Sequence, residues 1–271
     1  MRPVLRCLLL AFPVAALMAC ASESGHLPAP AVEAGSGQEW ITESDEPDAR
    51  RRARLRVELA SAYFEQGKTR VALDEVKLAL AADPAYAPAH NLRGLIYLRL
   101  RETALAESSF RQAIRLAPRD GDSWHNLGWL HCESGRYADA LAAFGSALQA
   151  PQYAAAAKTW MSQGICQARA GQVTDAERSL MRAFELDPGN PITTFNLASL
   201  LMQRREYSRA QSYIRRLNQS ELANAESLWL AARIEHRLGN RETARQLGEQ
   251  LRRRHPESQE AAAYERGAFD D

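Results

Sequence analysis

The sequence of 271 residues lacks the motifs on which the common enzyme classes depend. It contains no Walker-type glycine loop, no Gly-x-Ser-x-Gly, no His-Glu-x-x-His and no paired Cys-x-x-Cys. It also lacks an excess of charge of either sign, since the formal net charge is +1, and this balance argues against nucleic acid as a partner. We therefore predict a non-enzymatic protein with no catalytic residue, no cofactor and no small-molecule substrate.

A metal site is not expected either. His125 and His131 are six residues apart, a spacing that points two side chains away from each other on a helix. A hydrolase with an unrecognised site is the weakest of the functional alternatives, because every polar residue that the pattern places is explained by a helix surface.

The chain has no long apolar run, but its N-terminus resembles a bacterial lipoprotein signal. Arg2 and Arg6 precede an apolar segment, 7–17, which is too short to span a bilayer, and Leu17-Met18-Ala19-Cys20 closes it with small residues before a cysteine. This lipobox-like sequence implies a signal peptide over 1–19 and lipidation of Cys20. The alternative is an ordinary secretory signal that is cleaved elsewhere.

Residues 20–52 are rich in proline, glycine, serine and acids and show no periodic apolar face, so we expect a flexible tether there. Its last arginines, in the run 50–54, are expected to form the solvated first turn of a helix; contact with anionic lipid is the alternative. Ala21 and Ser22 follow the cysteine, which by resemblance to Gram-negative lipoproteins favours the outer membrane, with the folded part facing the periplasm.

The remaining chain repeats itself. The run 124–131, continued by Gly135-Arg136-Tyr137 and then Ala140 and Phe144, resembles the tetratricopeptide (TPR) pattern of a helix, a turn and a second helix. One alanine of the second helix recurs at intervals of 34, 34, 36, 34 and 34 residues, as Ala72, Ala106, Ala140, Ala176, Ala210 and Ala244. The resemblance predicts an all-α fold, a right-handed superhelical solenoid of six repeats over 53–258.

Two details complete the predicted architecture. The longer interval places a kink around Pro151-Gln152-Tyr153. Residues 259–271 are expected to form a capping helix and tail, because the end of a solenoid would otherwise expose its apolar face.

Cys132 and Cys166 lie at nearly equivalent positions on the first helices of adjacent repeats. Such helices are side by side about 8–10 Å apart, within reach of the ~5.5–6 Å Cα separation of a disulfide. We predict a disulfide in an oxidising periplasm. Two separate buried thiols are the alternative.

The lipobox, tether and six repeats together resemble the type IV pilus biogenesis and stability lipoproteins. The resemblance covers essentially the whole chain and includes the sequences 124–128, 135–137 and 251–256. It implies a pilotin that binds the pilus secretin, a protein partner, and promotes its localisation and multimerisation in the outer membrane, with the lipid as membrane anchor. A periplasmic TPR adaptor lipoprotein that scaffolds proteases or peptidoglycan enzymes is the alternative.

In TPR repeats the first helices line the concave face, and certain repeat positions point into the groove. Most residues at these positions are apolar here, which is typical of a surface that binds a peptide segment. The predicted groove residues are Val57, Phe64, Asn91, Leu95, Leu98, His125, Trp129, Met161, Ile165, Phe195, Met202, Trp229 and Arg233. Packing of some of them within the superhelix or under the tether is the alternative, and we expect Leu95, Leu98 and Trp129 to be the anchors.

The lipidation hypothesis predicts that Cys20→Ser releases the protein from the membrane. The variant has no thiol to carry acyl chains, each of which contributes about 0.8 kcal/mol per buried methylene to membrane binding. Membrane fractionation and metabolic palmitate labelling measure the change, and label that persists in Cys20→Ser would refute lipidation at this residue.

Overall fold

The computed structural model describes residues 46–269, and within this range it consists of thirteen helices and no strand. The helices are α1 Asp48–Glu65, α2 Thr69–Ala82, α3 Ala87–Arg99, α4 Thr103–Leu116, α5 Gly121–Glu133, α6 Tyr137–Leu148, α7 Ala156–Arg169, α8 Val173–Leu186, α9 Pro191–Gln203, α10 Tyr207–Asn218, α11 Ala225–Arg237, α12 Arg241–Arg254 and α13 Gln259–Glu265. The predicted all-α repeat fold is confirmed. None of these helices is long and apolar enough to cross a membrane.

The first helix, α1, begins at Asp48 and contains the arginine run 50–54, which the sequence placed in the first turn of a helix. Residues 48–52 at the end of the expected tether are therefore helical. Arg50 pairs with Asp83 and lies over the ring of Tyr86, and these contacts hold the first turn against the end of the repeat. The predicted signal peptide, Cys20 and most of the tether lie outside the described residues.

The two helices of a repeat cross closely at a glycine or alanine of the first helix. A Cβ added to Gly94 would come within 2.4 Å of the Phe110 ring, and one added to Gly128 would come within 2.7 Å of Phe144. Ala60 occupies the same position in the first repeat and is fully buried. A small residue of the first helix therefore marks the crossing in these repeats.

Glycine is not required at every turn between the two helices. Gly67, Gly135 and their counterparts Gly171 and Gly239 have a positive φ. In the second and fifth repeats the same position is taken by Arg101 and Arg205, with φ of 63° and 62°. The turn that ends each first helix thus requires a left-handed conformation even where the residue is one that disfavours it.

The two-residue insertion lies between α6 and α7, where the sequence predicted a kink. Gln152 has a φ of 55°, and the ring of the next residue, Tyr153, lies over Gly121 so closely that a Cβ there would be 2.5 Å from it. The Tyr153 hydroxyl hydrogen-bonds Thr159 Oγ1 at 2.8 Å, and His125 Nδ1 hydrogen-bonds the same oxygen, also at 2.8 Å. This polar chain ties the insertion to both flanking first helices, α5 and α7.

The same two helices are joined covalently. Cys132 and Cys166, both buried, form a disulfide with their Cα atoms 5.8 Å apart. The bond lies within an apolar cluster that includes Ala140 and Phe144. A covalent link therefore crosses the solenoid at the repeat junction that carries the insertion.

The short helix α13 covers the end of the stack. Tyr264 lies on Gly248 of α12, and Ala261 is buried beside Leu228 and Leu251. Trp229 of α11 contacts the rings of Tyr264 and Phe269, at centroid distances of 6.4 and 5.1 Å. This helix seals the apolar face that the sixth repeat would otherwise expose.

We expect loss of the disulfide to lower the melting temperature by about 10 °C. Closing a loop across a sequence separation of 34 residues is worth about 3–4 kcal/mol in the loop-entropy description, and each kcal/mol shifts the transition of a domain of this size by about 2–4 °C. Calorimetry of Cys132→Ala/Cys166→Ala and of the reduced protein should give matching values. Labelling of both Cys132 and Cys166 by a thiol reagent in denatured, unreduced protein, located by peptide mass spectrometry, would exclude the bond.

Acidification should destabilise the fold through His125. Burial, and secondly the charge of Lys158, lowers the pKa of His125 from 6.5 to about 4. The unfolded chain takes up a proton as the pH falls below 6.5 while the folded protein resists it, so the free energy of unfolding decreases by about 1.4 kcal/mol per pH unit, to a total of about 3 kcal/mol near pH 4.

Urea denaturation between these two pH values measures the effect. Burial lowers the pKa of His90 and His131 as well, so the comparison is with His125→Gln, which keeps a polar group beside Thr159 and should show a shallower pH dependence. An unchanged slope in this variant would mean that His125 does not resist protonation.

Candidate protein-binding groove

The central part of the predicted groove is a single cavity. Leu95 and Leu98 of α3, His125 and Trp129 of α5, and Met161 and Ile165 of α7 line a space of about 360 Å³. Three consecutive first helices thus contribute two predicted residues each. Their apolar side chains are half-buried, so they contact the core on one side and border the cavity on the other.

His125 differs from the other five residues. Its side chain is 3% exposed and its ring is held by Thr159 Oγ1 and tilted against Phe144 at a centroid distance of 5.7 Å. Its lowered pKa leaves it uncharged at neutral pH. His125 is therefore a structural part of the cavity wall rather than a free binding group.

Trp129 has one face held in place. The guanidinium of Arg169 lies 5.5 Å from the centre of its ring and is itself paired with Glu133. An indole fixed in this way presents a rigid apolar surface, and rigid aromatic side chains are common at binding hot spots because little conformational entropy is lost on binding.

Four other residues complete the wall and were not among the predicted groove residues: Asn126, Lys158, the buried Ser162 and Ile192. Ile192 of α9 is 53% exposed, Lys158 is exposed at the rim, and Asn126 donates to Asn91 Oδ1 at 3.0 Å. Lys158 and Ile192 are each the second residue of their repeat. In TPR repeats this position also points into the groove, so the repeat pattern could have identified both.

The other predicted groove residues are placed elsewhere. Val57 and Phe64 pack in the first repeat, where the guanidinium of Arg99 lies 4.0 Å from the centre of the Phe64 ring. Phe195 packs against the apolar cluster of the last three repeats. Met202 and Arg233 line a second cavity, of about 440 Å³, between α9 and α11.

Trp229 lies at the C-terminal end of the solenoid. Its half-buried ring contacts the rings of Tyr264 and Phe269 of the C-terminal cap. The repeat position alone could not show this, because in a central repeat the following first helix, rather than a cap, would stand there.

Few charged groups border the groove: Lys158 is exposed at its rim, and Arg169, over Trp129, is paired with Glu133. No group of three or more histidine, cysteine, aspartate or glutamate side chains within residues 46–269 is arranged to hold a metal ion. The apolar floor and the single lysine at the rim instead fit a segment of another protein.

Comparison with known proteins identifies the same repeat fold. The family model for the tetratricopeptide repeat matches residues 57–121, 125–191 and 195–259. The type IV pilus assembly protein PilF of Pseudomonas aeruginosa is 28% identical over 204 residues, which cover 75% of this chain and 81% of the relative.

Two solved structures are similar over nearly their whole length. The crystal structure of PilW, described as a widely conserved type IV pilus biogenesis factor, has a TM-score of 0.73 and 30% identity, covering 78% of this chain and 97% of PilW. The structure of P. aeruginosa pilF has a TM-score of 0.74 and 25% identity, covering 82% of this chain and all of the other. The chain therefore belongs to the tetratricopeptide repeat family and is homologous to the type IV pilus biogenesis factors PilF and PilW.

Proposed function

We propose that this protein is a non-enzymatic outer-membrane lipoprotein that binds the type IV pilus secretin and promotes its localisation and multimerisation. The observation that carries the proposal is the cavity formed by α3, α5 and α7 in a homologue of pilus biogenesis factors. TPR solenoids act by binding proteins, so an apolar groove is where a partner of the pilus machinery would be held.

The lining of the groove indicates how a partner segment is bound. Leu95, Trp129 and Ile165 come from three different helices, so a segment of several residues is needed to contact all of them. Burial of such side chains contributes about 25 cal/mol for each Å² of apolar surface removed from water. Lys158 at the rim favours an acidic residue next to the apolar ones.

Anchoring and location follow from the N-terminal sequence in this proposal. Lipidation of Cys20 would hold the protein at the inner leaflet of the outer membrane, and residues from 21 onward would let the repeats reach a partner assembling in that membrane. The periplasm is also the compartment in which the disulfide between Cys132 and Cys166 would persist.

Charged substitutions in the groove should weaken secretin binding while the fold is retained. We expect Leu95→Glu and Trp129→Glu each to cost about 2 kcal/mol of binding, or about 30-fold in Kd, because these side chains are expected anchors. Secretin multimers on denaturing gels and binding of the purified secretin domain are the measurements.

Leu105→Glu is the matched control. Leu105 is also a leucine with a partly exposed side chain, 48% exposed, but it lies on the second helix α4 and away from the groove. Circular dichroism and membrane fractionation should be unchanged in all three variants. If the groove variants support full multimers and Leu105→Glu does not, the partner binds the second helices and the groove proposal is wrong.

A further inference from the structure

Another cavity, different from the groove and from the cavity lined by Met202 and Arg233, lies on the opposite side of α5. Trp124, Leu127 and His131 of this helix form its floor, whereas His125, Asn126 and Trp129 face the groove described above. The walls come from the second helices α4 and α6, and the volume is about 530 Å³. The central helix α5 therefore separates two cavities, one between first helices and one between second helices.

His131 has unusual surroundings in this cavity. Its side chain is 3% exposed, and its Nδ1 atom has no hydrogen-bond partner among residues 46–269. Burial lowers its pKa, so the ring is neutral at physiological pH and offers one N–H and one acceptor nitrogen. A buried polar atom without a partner costs about 1–3 kcal/mol. Because the Nδ1 atom is shielded from solvent, a group bound in the cavity would meet the other ring nitrogen, Nε2, and accept its N–H.

The equivalent position of the sixth repeat can be compared with His131. The repeat alignment that pairs Ala140 with Ala244 also pairs His131 with Glu235, whose side chain is 4% exposed. The Glu235 carboxylate accepts from Gln211 Nε2 at 2.8 Å and from Asn240 Nδ2 at 2.7 Å, and the Arg215 guanidinium lies 3.5 Å away. The corresponding cavity there is smaller, about 170 Å³.

The fourth repeat is also satisfied internally at this position. Gln167 corresponds to His131 and accepts a hydrogen bond from Ser179 Oγ at 2.7 Å. The first two repeats have Tyr63 and Tyr97 there, larger rings that fill more of the space. The third repeat thus combines the orphaned ring nitrogen with the larger of the two corresponding cavities.

The charges around the cavity favour a carboxylate. Arg111 corresponds to Arg215, but its partner Glu107 is shared with Arg136, at 2.7 and 2.6 Å. Arg115 on the same wall hydrogen-bonds the neutral amide of Gln112 and forms no ion pair within residues 46–269. Asp139 stands on the opposite wall, where it can accept an N–H from a peptide backbone.

We propose that this cavity binds an acidic side chain of a partner protein, a glutamate flanked by apolar residues. The carboxylate accepts a hydrogen bond from His131 and pairs with Arg115. The place that Glu235 holds beside Arg215 and Asn240 is taken in the third repeat by Glu107, beside Arg111 and Arg136, so the bound carboxylate lies next to this ion pair rather than within it. The neighbouring apolar side chains contact Ile114, Trp124 and Leu127. The occupant is distinct from the segment held in the groove, so the protein has a binding surface on each side of α5.

Titration of the purified folded protein with two isosteric peptides tests the proposal. The probes are N-acetyl-Leu-Glu-Leu-amide and N-acetyl-Leu-Gln-Leu-amide, and the signals are the indole N–H resonances of Trp124 and Trp129, which lie on the two different cavities. We expect a saturable shift of the Trp124 signal alone, with the glutamine peptide binding about tenfold more weakly.

Variants assign the binding to the named residues. Arg115→Gln should weaken the glutamate peptide by about tenfold and leave the glutamine peptide unchanged. Its control is Arg253→Gln, an exposed arginine at the same repeat position in α12 and outside the cavity. His131→Tyr, which restores the residue of the first two repeats, should abolish binding of both peptides while the helical spectrum is kept.

Three results would overturn the proposal. One is the absence of a saturable Trp124 shift up to about 20 mM peptide, far above the affinity of a functional site. Another is equal binding of the two peptides, which would show that the carboxylate is not recognised. The third is tighter binding of N-acetyl-leucine than of the glutamate peptide, which would indicate a chain terminus as the occupant.

Discussion

The close crossing of two helices within each repeat is the constraint on which the structure depends. At Gly94, Gly128 and Gly164 the second helix places a large side chain where a Cβ would otherwise stand. This approach is possible only with glycine or alanine, and it buries one face of each helix. The other face of each first helix is left to contact the next repeat or a partner. Both the stacking and the two cavities follow from this division of faces.

The junction between the third and fourth repeats carries more restraints than a repeat spacing requires. The disulfide joins α5 and α7, and the chain of hydrogen bonds from Tyr153 through Thr159 to His125 joins the same helices. These are also two of the four first helices that line the groove. A groove whose walls are cross-linked loses less conformational entropy when a partner binds. The insertion at this junction is held in place by its own tyrosine, Tyr153.

The helix α5 connects the two candidate binding surfaces. Residues on one face contribute to the groove, and residues on the other contribute to the cavity above α4 and α6. Its backbone at Gly128 packs against Phe144, so the two surfaces share one tightly packed core. A partner bound in the groove therefore contacts a helix, α5, whose position also depends on the packing of α4 and α6 on its other face.

The sequence by itself determined the period, the number of repeats, the small residues at the crossings and the cap, because each of these depends on local spacing along a helix. It also placed six residues that the structure brings into one cavity, since a repeat position specifies a direction. Tertiary structure decided the rest. Trp229 contacts Phe269 because a cap, rather than a seventh repeat, follows it. Arg50 in the first turn of α1 pairs with Asp83, 33 positions away in the sequence. Whether the Nδ1 atom of His131 has a hydrogen-bond partner depends on the side chains of α4 and α6 that pack around it, and the sequence does not show which of them come near. A repeat pattern specifies which way a side chain points, but packing determines what it meets there.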